Sequence, residues 1–377
     1  MNRIAALLIF VLISARICAQ QPPQGQSPDA EPIFFEVLQN GKTRFYYDDR
    51  YYLADKNCPY KAIERIGYYD FAQKQFEGLV EDFDYNGQLV LTGNYVQGKK
   101  QGTFQAFHSN GNIKWQVDFK ADLPTGPWQH FYPDGKPMLT TVHSSSGIEI
   151  REYWDTRGRH RVKDGRGRFE MKVEVDGYSE YGAVFVNNNG SIRNGKPHGI
   201  WNVSFVYEDQ QIEYVGSQTF VNGELRNDPQ GVLNLIPEGA TRLSLAPIPW
   251  FVRGEQMIGK ACNIDEYSGF TEYLSLHLEE WFDGLFSTDI EINRVEYDIA
   301  VNKQGIATKI EAVQLPDDVQ FERMLKQALE AVNFWYPTFR DGEFIDDTIR
   351  LDFEIFPDNE SARFRFFDVR IKRSNGF

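Results

Sequence analysis

At 377 residues the chain is long enough for two or three domains and a sizeable core. Aromatics make up 15% of it, more than a disordered chain carries, so its bulk is folded. With 54 acidic against 40 basic residues the net charge is −14, which argues against a nucleic-acid partner, whose phosphates require clustered Lys and Arg.

Residues 1–19 read as a secretory signal. Arg3 supplies the positive end, and Ile4 to Ser14 is an unbroken run of apolar and small residues too short to span a bilayer. Ile17-Cys18-Ala19 before Gln20-Gln21 suits cleavage. This predicts an exported protein of the bacterial envelope, in the periplasm or at the outer membrane, with no spanning segment once the signal is removed. Cys18 raises a lipoprotein alternative, but Ala15-Arg16-Ile17 lacks the small residues of a lipid-attachment motif. Residues 20–31 are Pro/Gln-rich and predict a disordered leader. Cys58 and Cys262 then remain. Export permits a disulfide between them; burial as separate small hydrophobes is the alternative.

Residues 32–75 predict an N-terminal β cap, with Asn40-Gly41 turning between Phe34–Leu38 and Thr43–Tyr47. The cluster Tyr46, Tyr47, Tyr51 and Tyr52 suits the capped end of a repeat array. Stacking on sugars is the alternative.

Residues 76–232 repeat themselves. Gly78, Gly102 and Gly126 stand 24 residues apart, as do Gly87, Gly111 and Gly135, and Phe83, Phe107 and Phe131. Val80, Phe104 and Trp128 form another register, and Leu91, Trp115 and Leu139 a fourth. A fixed period of this length marks a repeat architecture. In each unit two strands flank a turn: Tyr85-Asn86-Gly87, Ser109-Asn110-Gly111, Pro133-Asp134-Gly135. Asn-Gly tolerates positive φ at both central positions and predicts a two-residue hairpin turn. Ile113, Trp115, Val117 and Phe119 alternate with polar residues, as in a strand with one buried face. The opening glycines predict a tight turn or close strand approach. A less regular set follows, through Gly165-Arg166-Gly167, Asn194-Gly195, Gly199 and Asn222-Gly223.

The runs Gly98-Lys99-Lys100-Gln101-Gly102-Thr103-Phe104, Gly126 to Lys136 and Gly195-Lys196-Pro197-His198-Gly199-Ile200-Trp201 resemble MORN-type repeats, in the bacterial variant of the YwqK-like family. The resemblance implies a β-hairpin solenoid without catalytic residues, with Gly78, Gly87, Gly102, Gly111, Gly126, Gly135, Gly195 and Gly199 as its turn residues.

Residues 233–268, broken by Pro237, Gly239, Pro247 and Pro249, predict a linker. Residues 269–377 predict a small α+β domain. Its elements are a helix over Gly269–Leu285, a strand over Val295–Val301 and a return strand carrying Ile306, Thr308, Ile310 and Ala312. A helix with Phe321, Met324, Leu325, Ala328, Leu329 and Val332 on one face follows, capped by Asp317-Asp318, and then a strand carrying Ile349, Leu351, Phe353 and Ile355.

Val295–Val301, Gly305, Ala328–Val332, Trp335-Tyr336-Pro337, Asp341-Gly342 and Leu351–Ile355 resemble the C-terminal domain of TonB-type energy transducers. Thr338 departs from that pattern, and the chain lacks a Pro-rich spacer. The resemblance implies a third strand whose edge captures a partner strand. It makes Thr348, Ile349, Arg350, Leu351, Phe353 and Ile355 candidate partner-binding residues. Against this, Ala362–Ile371 reads as a further strand folding back on Thr348–Phe356 and occupying that edge.

Metal-ligand pairs, a nucleophile elbow and phosphate loops are all missing from the sequence. Glu279-Glu280 and Asp346-Asp347 read as solvated faces or caps. The basic run Arg157–Arg168 reads as a solvated turn, with an anionic-surface contact as its functional alternative. The expectation is therefore a mainly β, non-catalytic scaffold without cofactor or metal, which binds protein partners in the envelope and self-associates through strand edges. The alternatives are a TonB-related accessory contacting an outer-membrane transporter, and a binder of glycan or peptidoglycan.

Overall fold

The structure is a computed structural model that describes residues 32–144, 147–180, 182–232, 245–284, 293–315, 319–340, 343–358 and 363–373. The signal, the leader, the Asp317-Asp318 cap and Asp341-Gly342 lie outside the described residues. The chain is mainly β and divides between Cys262 and Asn263 into two compact units.

In the first unit, among the described residues, seventeen strands form one antiparallel sheet in which neighbours in sequence are neighbours in space. It opens with β1 (Phe35–Val37), β2 (Thr43–Tyr47) and β3 (Ile63–Asp70). It continues through β4 (Gln75–Asp84), β5 (Leu89–Val96), the collinear β6 (Lys99–Lys100) and β7 (Gly102–Phe107), β8 (Ile113–Lys120), β9 (Leu123–Phe131) and β10 (Pro137–Ser144). The second half holds β11 (Gly147–Trp154), β12 (His160–Lys163), β13 (Arg166–Glu174), β14 (Phe185–Arg193), β15 (Lys196–Val206), β16 (Ile212–Val221) and β17 (Glu224–Asn227). The predicted cap is therefore continuous with the repeats, and Tyr46, Tyr47, Tyr51 and Tyr52 are buried in it.

The period appears as repeated hydrogen bonds. The Gly87, Gly111 and Gly135 amides donate to the carbonyls of Asp84, His108 and Tyr132, at 2.9, 2.8 and 2.8 Å. At these turns the glycine has positive φ and the preceding Asn or Asp does not, so they are longer loops than the two-residue turns expected. True two-residue turns, with positive φ at both central residues, sit at the other ends of the hairpins. These are Gln97-Gly98, Ala121-Asp122, Asp164-Gly165, Asn194-Gly195 and Asn222-Gly223.

The opening glycines behave differently from expectation. Gly78, Gly126 and Gly199 lie inside strands at positive φ, where the pairing register slips against β3, β8 and β14. No atom crowds them, so backbone conformation and not close approach demands glycine. Two residues on comes the bulky side chain: Val80, Phe104, Trp128 or Trp201. For Val80, Phe104 and Trp201 the neighbour on the preceding strand is glycine, whereas Trp128 stands beside Val117. A Cβ added to Gly67 would lie 2.8 Å from Val80, one on Gly93 2.2 Å from Phe104, and one on Gly190 2.2 Å from Trp201. In these three units the motif thus encodes a bulky side chain laid over a residue that lacks one.

The buried face is closed by the chain's own return. Leu245, Ala246 and Ile248 pack on Leu139, Ile150, Phe169 and Trp201, while Phe251 joins Phe45, Val80, Phe104 and Trp115. A 3-10 helix, Trp250–Glu255, lies on the sheet, and Leu53 hydrogen-bonds across to Ile258 and Lys260 at 2.8 and 2.9 Å. Part of the segment expected as linker is therefore a strap. Cys58 and Cys262 are disulfide-bonded, which fixes its far end.

In the second unit, Asn263 caps the short α1 (Ile264–Tyr267), and α2 (Phe270–Trp281) starts from Gly269 at φ 77°. β18 (Asn293–Val301) pairs with β19 (Ala307–Gln314) and with β22 (Asp347–Asp358), and β22 pairs onward with β23 (Arg363–Lys372). α3 (Val319–Glu330) buries Phe321, Leu325, Ala328 and Leu329. β20 (Thr338–Arg340) and β21 (Glu343–Ile345) form a small hairpin. The return strand β19 departs from its expected pattern: Ile306 before it is exposed, and most of the strand faces solvent.

Gly93→Ala should destabilise the first unit by about 1–3 kcal/mol, because a methyl cannot enter against the Phe104 ring. Gly93→Ala combined with Phe104→Leu should recover part of that loss. Urea midpoints of the three proteins check this.

Candidate functional site

The densest polar constellation lies beneath the strap. Arg65, on β3, and Asp82, on β4, are both fully buried and meet side-on, Nε to Oδ1 at 2.8 Å and Nη2 to Oδ2 at 2.9 Å. Strand pairing places Arg65 directly opposite Asp82. The rings of Tyr47, Tyr51 and Phe76 lie 5.2–5.7 Å from the guanidinium carbon. The Tyr51 hydroxyl donates to Asp82 Oδ2 at 2.9 Å, and Tyr47 donates to the Gly254 carbonyl of the strap at 2.9 Å.

A second ion pair joins strap to sheet. Glu255 accepts from Tyr95 at 2.6 Å and from Lys100 Nζ at 2.8 Å. A third involves Arg253, which lies between Tyr52 and Trp250 and donates to Asp176 at 2.6 Å.

Burial here governs protonation. It lowers the affinity of Arg65 for its proton, but the adjacent Asp82 charge outweighs that and holds the guanidinium charged well above its ordinary range. Burial first, and the neighbouring carboxylates second, push the Tyr51 and Tyr95 phenols well up. Such phenols remain donors throughout the neutral range. The cluster therefore fastens the strap through the Tyr47, Tyr95 and Lys100 hydrogen bonds, with Arg65 Nη1 left without a hydrogen-bond partner among the described residues.

Two of the histidines lie against main-chain carbonyls. His108 Nε2 lies 3.0 Å from the Phe131 carbonyl, and His277 Nε2 2.9 Å from that of Ala328. His130 is buried beside Trp128, with His143 on that ring's other side, and its Nε2 has no hydrogen-bond partner among the described residues. Burial, helped by the charges of His143 and Lys114, pulls its pKa down to about 3. Among the described residues, no group of three His, Cys, Asp or Glu side chains is placed to hold a metal ion.

The eight turn glycines expected from the repeats, Gly78, Gly87, Gly102, Gly111, Gly126, Gly135, Gly195 and Gly199, all have positive φ. The candidate partner-binding strand is placed otherwise than as an edge. Thr348, Ile349, Arg350, Leu351, Phe353 and Ile355 lie on β22, which is paired on one side with β18 and on the other with β23. Ile349, Leu351, Phe353 and Ile355 are fully buried, and Arg350 is held by Asp298 at 2.7 and 2.9 Å. The strand reads as a capturing edge only until Phe364 and Phe366 bring β23 onto it, burying both rings.

Of the adjacent acid pairs, Glu279 binds Arg365, Asp346 accepts from the Lys303 amide and Asp347 from Thr338. Sequence reasoning missed Arg65–Asp82, because a lone Arg and a lone Asp in alternating strands carry no motif. Their signal is a charge at positions where the strand alternation calls for apolar side chains.

Compared with protein-family models and with curated proteins, the chain matches none.

Asp82→Ala should cost about 3–5 kcal/mol by stranding the buried Arg65 charge, whereas Arg65→Met with Asp82→Leu should cost less than the single change. Chemical denaturation of the three proteins tests this. For His130, the unfolded imidazole binds a proton below about pH 6.5 while the folded one resists until about 3. Its contribution is thus complete above about pH 6.5 and lost as pH falls towards 3, at up to about 1.4 kcal/mol per pH unit. His130→Phe should flatten that part of the stability–pH curve.

Proposed function

We propose that this chain is a non-catalytic scaffold of the bacterial cell envelope, built from MORN-like hairpin repeats and a TonB-like α+β module, which holds protein partners on its β surfaces. The observation that carries this reading is the first edge of the large sheet. β1 pairs with β2 and with no other described strand. It presents Phe35 and Val37 to solvent at 43% and 65% exposure, beside the exposed Phe71, whose ring lies 5.0 Å from Phe35. Proteins ordinarily guard such edges with charge. The far end does so, where all four residues of β17, Glu224-Leu225-Arg226-Asn227, are exposed.

The two apolar side chains exposed at β1, whose Glu36 is turned to Lys56 and Tyr46, suit strand addition by a partner there. The Cys58–Cys262 disulfide supports export, since such bonds persist in oxidising compartments. The glycan alternative through stacked aromatics has less support, because the ladder Phe76, Tyr95, Phe104, Phe119 and Trp128 lies in the core.

A photo-crosslinking residue placed at Val37 in the native envelope should yield a discrete protein adduct, and one placed at Arg226 should not. The Val37 adduct should vanish when Phe35→Glu is added. Adducts at both positions, or at neither, would refute the proposal.

A further inference from the structure

We propose that the solvent face of β12–β15 binds an acidic polysaccharide. The basic run Arg157–Arg168 splits in the fold. Arg159 is neutralised by Asp155 at 2.7 Å, and Arg161 lies 4.0 Å from the same carboxylate. Lys163, Arg166 and Arg168 stay exposed, and from a distant part of the sequence the exposed Arg193 and the half-buried, partnered Lys196 stand beside them.

Pairing sets Lys163 opposite Arg166 and Arg193 opposite Lys196, while Arg166 and Arg193 flank the Gly167–Ile192 pair on the same side. The two hairpin turns behind them, Asp164-Gly165 and Asn194-Gly195, are stacked, Gly195 N donating to Gly165 O at 3.0 Å. Four cations therefore stand on four neighbouring strands, about 4.8 Å apart, in a line crossing the strands. A second line runs Arg168, Ser191, His198.

Among the described residues, Lys163, Arg166, Arg168 and Arg193 form no side-chain ion pair. Asp164 and Glu170 border the patch without neutralising it. This is a concentrated positive field in a chain of net charge −14.

The arrangement favours a linear polymer with an acid on successive sugars over other anions. The charges form rows, and the adjoining positions Ser191, Asn189 and Asn202 offer hydroxyl and amide groups to sugar hydroxyls. No Phe, Tyr or Trp stands among these positions, as stacking on nucleic-acid bases would require.

Binding of the full chain to polygalacturonate, which carries a carboxylate on every sugar, tests this against neutral dextran. Polygalacturonate should bind and dextran should not, and added salt should weaken the binding. Arg166→Glu, Arg168→Glu and Arg193→Glu together should lower affinity at least tenfold. The corresponding Gln set should lower it less. Lys309→Glu with Lys326→Glu, elsewhere on the surface, should leave it unchanged. If the Glu set lowers the thermal midpoint, the Gln set decides. Unchanged binding after reversal, no binding to polygalacturonate, or preferential binding of single-stranded oligonucleotide or anionic vesicles through the same arginines would each overturn the proposal.

Discussion

The large sheet depends on one steric bargain made between neighbouring strands. A bulge glycine turns the strand, and two residues later a bulky side chain lies over a position with no side chain of its own. Val80 over Gly67, Phe104 over Gly93 and Trp201 over Gly190 are three instances. The bulge needs positive φ, which glycine adopts without a Cβ penalty. The second glycine is needed for space alone. The two glycines thus answer to different physics. The lost β propensity of Gly93 and Gly190 is offset by the ring each receives, as in cross-strand aromatic packing over edge glycines.

A meander of this kind leaves one face to be covered. In the first unit the covering comes from residues 245–262, and the contact is held by charge as well as by apolar area. Phe251 supplies the apolar part, 5.3 Å from Trp115 and 5.8 Å from Phe104. Arg253 and Glu255, two residues apart, reach opposite-charge partners on different parts of the sheet. Partly buried ion pairs of this kind add little net stability over apolar packing.

Much of this was legible in the sequence, for physical reasons that differ by element. The hairpins could be read because alternation and turn chemistry are local: Ile113, Trp115, Val117 and Phe119 announce a strand without reference to anything distant. The helix Phe270–Trp281 was legible by its own period. The strap was not, since three prolines in its neighbourhood suggest a linker and such partners as Asp176 and Tyr47 lie 77 and 207 residues earlier. Arg65–Asp82 was not, because ion pairing across strands has no sequence spacing. The fold-back of Phe364 and Phe366 onto Thr348–Phe356, and with it the occupied edge, was legible because a turn between two alternating runs is a local signal. Turn type was misread at Asn86, Asn110 and Asp134, where dipeptide identity matched a two-residue turn but loop length prevailed.

The strap also bears on the order in which the molecule can be assembled. Its docking floor, Tyr47, Tyr95, Phe104 and Trp115, is synthesised within the first third of the chain, whereas Phe251 and Glu255 follow well over a hundred residues later. Hairpins can close as they emerge, but that aromatic floor must stay wet until the late segment arrives. The unit is thus local in its strand pairing and global in its completion, and a nascent chain stopped before residue 250 would carry formed hairpins around an open hydrophobic trough.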